Sequence, residues 1–525
     1  MSVLSTPHSR RAFAKQAALF LAAGRFAWAA GEDTIAVTSA GKVRGTILGD
    51  VKIFRGIPYG ADTGGKNRFM PPVKPQPWTV TRDALAYGPS APQGDGHTSD
   101  REDCLVLNVF TPALSGGSKR PVMVWLHGGG FATGSGSGAT IDGTSLAQNH
   151  DVVVVTINHR LNVFGFSYLG EQAGSDFALS GAAGMLDIVA ALQWVRENIA
   201  GFGGDPDLVT IFGQSGGGRK VATLMSMPSA QGLYHRAIIE SGAVLRLTTP
   251  EDAIHHTEML LAELGLKQAR DLQAVPVVRL LAANDAVLKK FPAREVGGVP
   301  NSPMIDGKAL PRHPFDPDAP AISAKIPLLM GWAHTEETLY DRPTAESLKL
   351  DEAGLSQRAR VRLGVDPAPV IAAFRSAYPD ATPWDLHILI GTDHPRGAYS
   401  RELAKRKAAQ GGASAWLYRF DWETPENGGH MRSPHTIEIP FVFQNIKVAG
   451  PLISKMPEAY TLAEKVSASW VAFARTGNPN TPQLPNWPAY SANSRETMIF
   501  NNQSRVVADP DSAARQAMEK VLQLA

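Results

Sequence analysis

The stretch Leu208-Val-Thr-Ile-Phe-Gly-Gln-Ser-Gly-Gly-Gly-Arg-Lys-Val-Ala-Thr-Leu-Met225 decides how this chain is read. A β-rich run, Leu208–Phe212, enters a turn and leaves it into helix-forming residues from Arg219 onward. Gly213, Ser215 and Gly217 form a Gly-x-Ser-x-Gly unit at the turn. A strand that reverses into a helix at this spacing holds the serine on a strained, exposed corner, and the flanking glycines leave room for the backbone to close around it. A serine so placed at a helix N-terminus is positioned to attack a carbonyl. Taken alone, the same residues also describe an ordinary glycine-rich turn, so the remaining chain has to supply the other parts of the chemistry.

Outward from this corner, strand-like and helix-like segments alternate. Leu105–Phe110, Val122–Leu126 and Asp151–Asn158 are short, continuous apolar runs, as expected of strands buried on both faces. Gly184–Ile199 carries Leu186, Val189, Leu192 and Val195 at helical spacing. Ala237–Ile239, Ile326–Met330, Ala415–Phe420 and Thr497–Phe500 read as later strands. The alternation predicts an α/β fold with a mostly parallel, doubly wound sheet. Ahead of it, Thr34–Thr38, Lys42–Leu48 and Val51–Phe54 predict a small antiparallel sheet, followed by a proline-rich loop from Met70 to Pro77. The irregular but helical segments 250–325 and 340–410 are expected to be insertions that cover the sheet. Asp511–Leu524 should close the chain as a helix begun at Asp511 or Ser512. No repeat or linker divides residues 30–525, which predicts one domain.

Composition narrows the function classes. A chain of 525 residues with 43% hydrophobic content can bury a large core. A formal charge of +2 gives no basis for a nucleic-acid surface. The single cysteine, Cys104, excludes an intramolecular disulfide and a thiolate metal cluster. No uninterrupted apolar stretch reaches the roughly 18 residues of a membrane span. Residues 1–29 differ from the rest. They contain Ser9-Arg-Arg-Ala-Phe-Ala-Lys15, an apolar run from Gln16 to Gly24 interrupted by Arg25, and small residues at Ala27 and Ala29. This order describes a removable export leader of the twin-arginine type that bacteria use, and predicts a periplasmic or secreted protein. Arg10, Arg11, Lys15 and Arg25 are its only formal charges, so the remaining chain is slightly acidic.

Acyl transfer from a serine needs oxyanion donors, a base and a group that orients the base. The donors are visible in Val122-Met-Val-Trp-Leu-His-Gly-Gly-Gly-Phe131, a strand that opens into His127-Gly-Gly-Gly130. Consecutive glycines let backbone N–H groups turn inward, and the amides of Gly129, Gly130 and Gly216 are the expected oxyanion hole. His127–Phe131, Phe212–Gly217 and Glu102-Asp-Cys-Leu-Val-Leu-Asn108 together resemble the type B carboxylesterases, a family of α/β-hydrolases that includes para-nitrobenzyl esterases, liver carboxylesterases and cholinesterases. Phe54-Arg-Gly-Ile-Pro58, Phe202-Gly-Gly-Asp-Pro206 and Ala237-Ile-Ile-Glu-Ser-Gly242 extend the resemblance, which runs from about residue 34 to the C-terminus.

The acid is sought at the end of a late strand, where open parallel sheets carry their sites. Leu328-Leu-Met-Gly-Trp-Ala-His-Thr-Glu-Glu337 offers Glu336 and Glu337. The resemblance favours Glu336, five residues after Gly331, although the family usually has glycine where Glu337 stands. The base should follow the acid in the chain. His387, His394, His430 and His435 qualify, whereas His334 is too close to the acid. His435, in Pro434-His-Thr-Ile-Glu-Ile-Pro-Phe-Val-Phe443, resembles the family's histidine block, with His430 as the competitor.

The resemblance implies a serine hydrolase that cleaves small-molecule carboxylic esters through an acyl-enzyme on Ser215, with His435 as base and Glu336 as orienting acid. It implies no cofactor and no metal. An amide, carbamate or lactone carbonyl would meet the same triad, and some relatives on this fold are non-catalytic adhesion proteins that have lost the nucleophile. Gln214 stands where family members often carry glutamate, and no tryptophan lies between Trp78 and Trp125. Both departures argue against choline esters. Cys104 matches a cysteine that is paired in eukaryotic relatives and is expected here as a buried free thiol. Arg55 and Glu102 are expected to form an ion pair near it.

Overall fold

Val122, Val124 and Leu126 pack into one hydrophobic core, Met123 and Trp125 into another, and all five are buried. The same division by alternate residues continues in the adjacent strand, where Val153 and Val155 face one core and Val154 the other. A strand whose side chains alternate between two dry faces must be apolar throughout, which is why these runs show no polar alternation. The computed structural model describes residues 34–94, 101–114, 119–291 and 301–524. The leader expected at residues 1–29 lies outside the described residues.

Among the described residues there are fourteen strands: β1 (Ile35–Thr38), β2 (Gly41–Arg44), β3 (Thr46–Leu48), β4 (Val51–Pro58), β5 (Arg82–Asp83), β6 (Val106–Thr111), β7 (Arg120–Leu126), β8 (Val153–Ile157), β9 (Gly204–Gln214), β10 (Arg236–Glu240), β11 (Leu328–Ala333), β12 (Ala415–Phe420), β13 (Glu496–Phe500) and β14 (Arg505–Ala508). Eleven of them form one sheet in the order β14-β13-β12-β11-β10-β9-β7-β8-β6-β4-β3. From β8 to β13 in that order every pairing is parallel, and the pairings at the two edges are antiparallel. The helices Ala183–Asn198 and Gly216–Leu224 cover one face. The 20-residue helix Pro457–Thr476 and the short helix Thr144–His150 cover the other.

The predicted strands are present, and two segments differ from expectation. The run Lys42–Leu48 is not one strand. It breaks at Gly45, whose amide donates to Thr34. The part before the break pairs with β1 in a separate three-stranded sheet, and the part after it joins the edge of the large sheet through β4. The small sheet is an antiparallel pair with the two-residue β5 added in parallel. The closing helix runs over Ser512–Val521, and its N-cap Asp511 is left-handed with no side-chain cap bond. The Asp511 carboxylate is instead taken by Tyr378, at 2.5 Å, and by Arg419. The stretch Ser175–Phe202 is long and apolar enough to cross a bilayer, but most of it is buried, and its helix Ala183–Asn198 packs against the sheet as part of the core.

Candidate active site

Ser215 stands between β9 and the helix Gly216–Leu224 with φ 57° and ψ −120°. For a residue with a Cβ that is a strained conformation, of the kind that costs about 1–3 kcal/mol and persists only where its surroundings enforce it. Here the next strand does so. The Ser215 amide donates to the carbonyl of Glu240 at 2.8 Å, and Gly242 packs so closely on Ser215 that a Cβ there would strike the Ser215 carbonyl. A Cβ on Gly217 would fall on the carbonyl oxygen of Leu126, so the last glycine of the motif is required by close approach.

That approach brings the glycine loop after β7 against the helix N-terminus. Gly129 and Gly130 both have positive φ, 82° and 63°, which turns their amides out of the strand direction. Gly216 lies directly against Gly130. Among the described residues the amides of Gly129 and Gly130 have no acceptor, and the Gly216 amide is one of the N–H groups that a helix start leaves free. From below, Lys220 Nζ donates to the His127 carbonyl at 2.9 Å. Lys220 is fully buried, and burial lowers its pKa to about 7. The stacked rings of His127 and His159 lie beside it, their centroids 4.9 Å apart. Burial and the Lys220 charge hold both imidazoles well below the usual histidine range.

On the other side of Ser215, β11 and β12 supply the acid and the histidine. Glu336 opens a short 3-10 turn after β11, and its Oε2 lies 2.6 Å from His435 Nδ1. Its Oε1 accepts from the amide of Ala333 at 3.0 Å. Burial would raise the Glu336 pKa, but His435 and the Arg396 guanidinium, 3.3 Å away, outweigh it and keep the carboxyl below its ordinary value. The two loops that carry the pair are fastened together. The Thr335 amide donates to the Ser433 carbonyl, the Ser433 amide to Thr335 Oγ1, and the Thr338 hydroxyl to the Met431 carbonyl. The Gln214 amide nitrogen sits 3.3 and 3.4 Å from the two His435 ring nitrogens, so Gln214 packs on the imidazole directly. The Tyr340 ring lies 5.5 Å from His435 on the solvent side. A cavity of about 640 Å³, lined by Leu339, Arg342, Glu426 and Met431 among others, opens onto His435.

Behind the acid are two more buried carboxyls. Glu438 Oε1 accepts from the Ser241 hydroxyl at 3.0 Å, and Glu240 Oε1 accepts from the Trp470 indole at 2.7 Å. Burial raises both, Glu240 to about 8 and Glu438 well above the carboxylate range, where the neighbouring Glu240 and Glu336 also contribute. Glu240 is therefore held mostly as a neutral acid at pH 7.

The structure brings Ser215, Gly129, Gly130, Gly216, Glu336 and His435 to the C-terminal ends of β9, β7, β11 and β12, where open parallel sheets place their sites. It separates the competitors. Glu337 turns away to Arg362 and, at 3.4 Å, Arg396. His430 is exposed and lines a different cavity, of about 360 Å³, with Trp384 and Arg432. His387 pairs with Asp341 at 3.0 Å. Cys104 is buried and unpaired. The expected Arg55–Glu102 pair is not formed. Glu102 is bound by Arg68, which reaches it at 2.5 Å, and Arg55 faces Asp142 at 3.6 Å. Neither partner was foreseeable, because Arg68 and Asp142 are placed by loops that carry no periodic signal. Sequence reasoning also missed Lys220 and Arg396. Lys220 had one available cue, a lysine inside an apolar helix turn; Arg396 had none, since it arrives from an insertion.

A mostly parallel sheet with a strained serine elbow, a glycine loop and a buried Glu–His pair at its carboxyl edge defines an α/β-hydrolase of the serine ester hydrolase class. The Carboxylesterase family model matches residues 32–365 and 389–519, and the chain belongs to that family. It is 37% identical to the para-nitrobenzyl esterase of Bacillus subtilis (strain 168), over 92% of this chain and 98% of that protein. It is 32% identical to the phenmedipham hydrolase of Pseudarthrobacter oxydans, over 90% of this chain and 96% of that protein. The crystal structure of a Geobacillus stearothermophilus carboxylesterase at pH 6.2 superposes with a TM-score of 0.80 at 38% identity, covering 92% of this chain and 99% of that one. The protein is a carboxylic-ester hydrolase.

Proposed function

We propose that Ser215 is the nucleophile, His435 its base and Glu336 the orienting acid, acting on small-molecule esters. In this reading His435 takes the Ser215 proton as Oγ attacks the ester carbonyl. Glu336, on Nδ1, fixes the tautomer that leaves Nε2 free and stabilises the imidazolium. The amides of Gly129, Gly130 and Gly216 receive the oxyanion. His435 then protonates the departing alcohol, and water repeats the cycle on the acyl-enzyme. The observation that carries this is the 2.6 Å contact between His435 and Glu336 beside a strained serine. The loops 339–344 and 426–440 supply most of the wall of the cavity at His435 and so set its substrate range. Residues 1–29 act in this reading as an export leader, which makes the mature enzyme periplasmic or secreted; an N-terminal sequence of secreted protein that begins within them would count against it.

The test is hydrolysis of short 4-nitrophenyl esters. Ser215→Ala should lower kcat by at least about 10⁴-fold while the melting temperature stays within a few degrees. Undiminished turnover in that variant would remove Ser215 from the mechanism.

A further inference from the structure

A cation with no counter-ion among the described residues stands four residues after Ser215. Arg219 lies in the first turn of the helix Gly216–Leu224 and is only partly exposed. Residues four apart share a helix face, and helical side chains lean toward the N-terminus, so Arg219 shares the helix face that begins at Ser215. Lys220, the next residue, turns under the glycine loop to reach His127. Arg219 lies about a quarter-turn round the helix from Lys220, on the side of the acid and histidine. The groups whose fields reach it are those of that flank, Arg396, Tyr340 and Tyr399, with no carboxylate among them. Arg396 is the guanidinium on Glu336, and it lies over the Tyr340 ring at 4.7 Å. Tyr340 in turn rests against His435.

Charges on this flank do not balance around Arg219. Glu336 is answered by His435 and Arg396, and Glu337 by Arg362 and Arg396. Among the described residues no carboxylate is within ion-pair distance of Arg219, and no acceptor takes its guanidinium hydrogens. Arg342, exposed at the rim of the His435 cavity, also has no ion pair among the described residues. Beside the nucleophile stands the neutral Gln214. A guanidinium drawn out of water next to another guanidinium is costly unless an anion completes it. Burial and Arg396 both push the Arg219 pKa down, which expresses that cost. Ester hydrolysis by the triad uses no cation at this position.

We propose that the preferred substrates of this enzyme are acidic esters, whose carboxylate is received by Arg219, in the field of Arg396, while the ester carbonyl sits on Ser215. This rests on Ser215 being the nucleophile. The planar guanidinium matches a carboxylate bidentately. The carboxylate takes no part in bond making. The ester C–O bond breaks, the alcohol leaves with the proton from His435, and water completes the acid product.

The test compares kcat/KM for ester pairs that differ by one carboxylate. On the acyl side these are mono-4-nitrophenyl adipate and 4-nitrophenyl hexanoate; on the alcohol side, 4-carboxyphenyl acetate and phenyl acetate. In the wild type at least one acidic member should exceed its neutral partner by about ten- to a hundred-fold, the range of one charge-assisted hydrogen-bonded pair. Raising NaCl from about 0.05 to about 0.5 M should compress that ratio. Arg219→Gln should reduce the ratio at least about tenfold, and Arg219→Lys should retain part of it. Wild-type ratios at or below one for both pairs overturn the proposal even if neither variant folds, and so does an Arg219→Gln ratio equal to that of the wild type. Absence of turnover on all four esters, or turnover retained in Ser215→Ala, counts instead against the nucleophile assignment.

Discussion

On one flank of Ser215 the site is made by backbone, on the other by side chains. The flank proposed to receive the oxyanion consists of Gly129, Gly130 and Gly216, held by approaches that leave no space for a Cβ at Gly217 and fastened from below by Lys220. The acid flank consists of Glu336 and His435, which are 99 residues apart and are held by a network that includes Arg396, Thr335, Ser433 and Gln214. The first flank has almost no alternative arrangement, because its parts are close in sequence to β7 and β9 and locked by packing. The second depends on hydrogen bonds and charges that single substitutions can remove without disturbing the sheet. Catalysis on the acid flank should therefore be separable from folding, while on the oxyanion flank the two are linked.

The sharpest way to break this contrast is within the acid pair. Glu336→Gln keeps the shape of the side chain but takes the charge from His435 Nδ1, and kcat should fall roughly a thousand- to ten-thousand-fold with the fold intact. Glu337→Gln removes the charge that Arg362 and Arg396 meet there and should cost less than about tenfold, because Arg396 keeps its contact with Glu336. Steady-state kinetics of the two variants on one 4-nitrophenyl ester decide it. Equal losses would mean that the glutamates act as a unit and that the 2.6 Å contact does not single out Glu336.

Lys220→Met probes the oxyanion flank with a smaller effect. The methionine fills the space but cannot hold the His127 carbonyl, and kcat should fall about ten- to a hundred-fold with KM little changed, a smaller loss than removing an oxyanion donor outright. The melting temperature should hold or rise, because a fully buried ammonium is costly to the fold. A kcat equal to the wild type's would show that the glycines position themselves and that Lys220 is structural ballast.

What was legible in the sequence divides along the same line. The strands β7, β8, β9 and β12 were readable because burial on both faces demands an apolar run, and the Gly-x-Ser-x-Gly and His-Gly-Gly-Gly segments because close approach admits only glycine there. The carboxylate that meets His435 was readable only as one of two adjacent glutamates. Glu336 and Glu337 leave one 3-10 turn toward different partners, His435 for the first and Arg362 for the second, while Arg396 touches both, and each of these residues comes from a distant segment. The block Ala237–Gly242 was recognised without a role. The structure supplies one, since Glu240 and Gly242 hold the strained serine from the next strand. The Arg55–Glu102 pairing failed because proximity to Cys104 in sequence says nothing about which loop brings the counter-ion.

The smallest expected effects are on stability, and they test whether the two flanks store charge in opposite senses. Glu240, behind the acid flank, has its folded-state pKa raised to about 8 by burial. The folded protein thus binds a proton that the unfolded chain, with glutamate near 4.3, has released, so stability from this group declines as pH rises from about 5 to about 8. Lys220, under the oxyanion flank, is lowered to about 7 against roughly 10.4 in the unfolded chain. The folded protein gives up a proton that the unfolded chain keeps, so stability from this group increases as pH rises from about 7 to about 10. Each slope can reach about 1.4 kcal/mol per pH unit. Glu240→Gln preserves the acceptor for Trp470, and its melting temperature relative to the wild type should be least changed near pH 5 and should climb toward pH 8. Lys220→Met should show the reverse, with its largest relative gain near pH 6 and a vanishing one near pH 10. Parallel curves for the two variants would mean that the buried groups of the flanks titrate together. Crossed curves would mean that the acid flank keeps a proton and the oxyanion flank sheds one, each by burial alone.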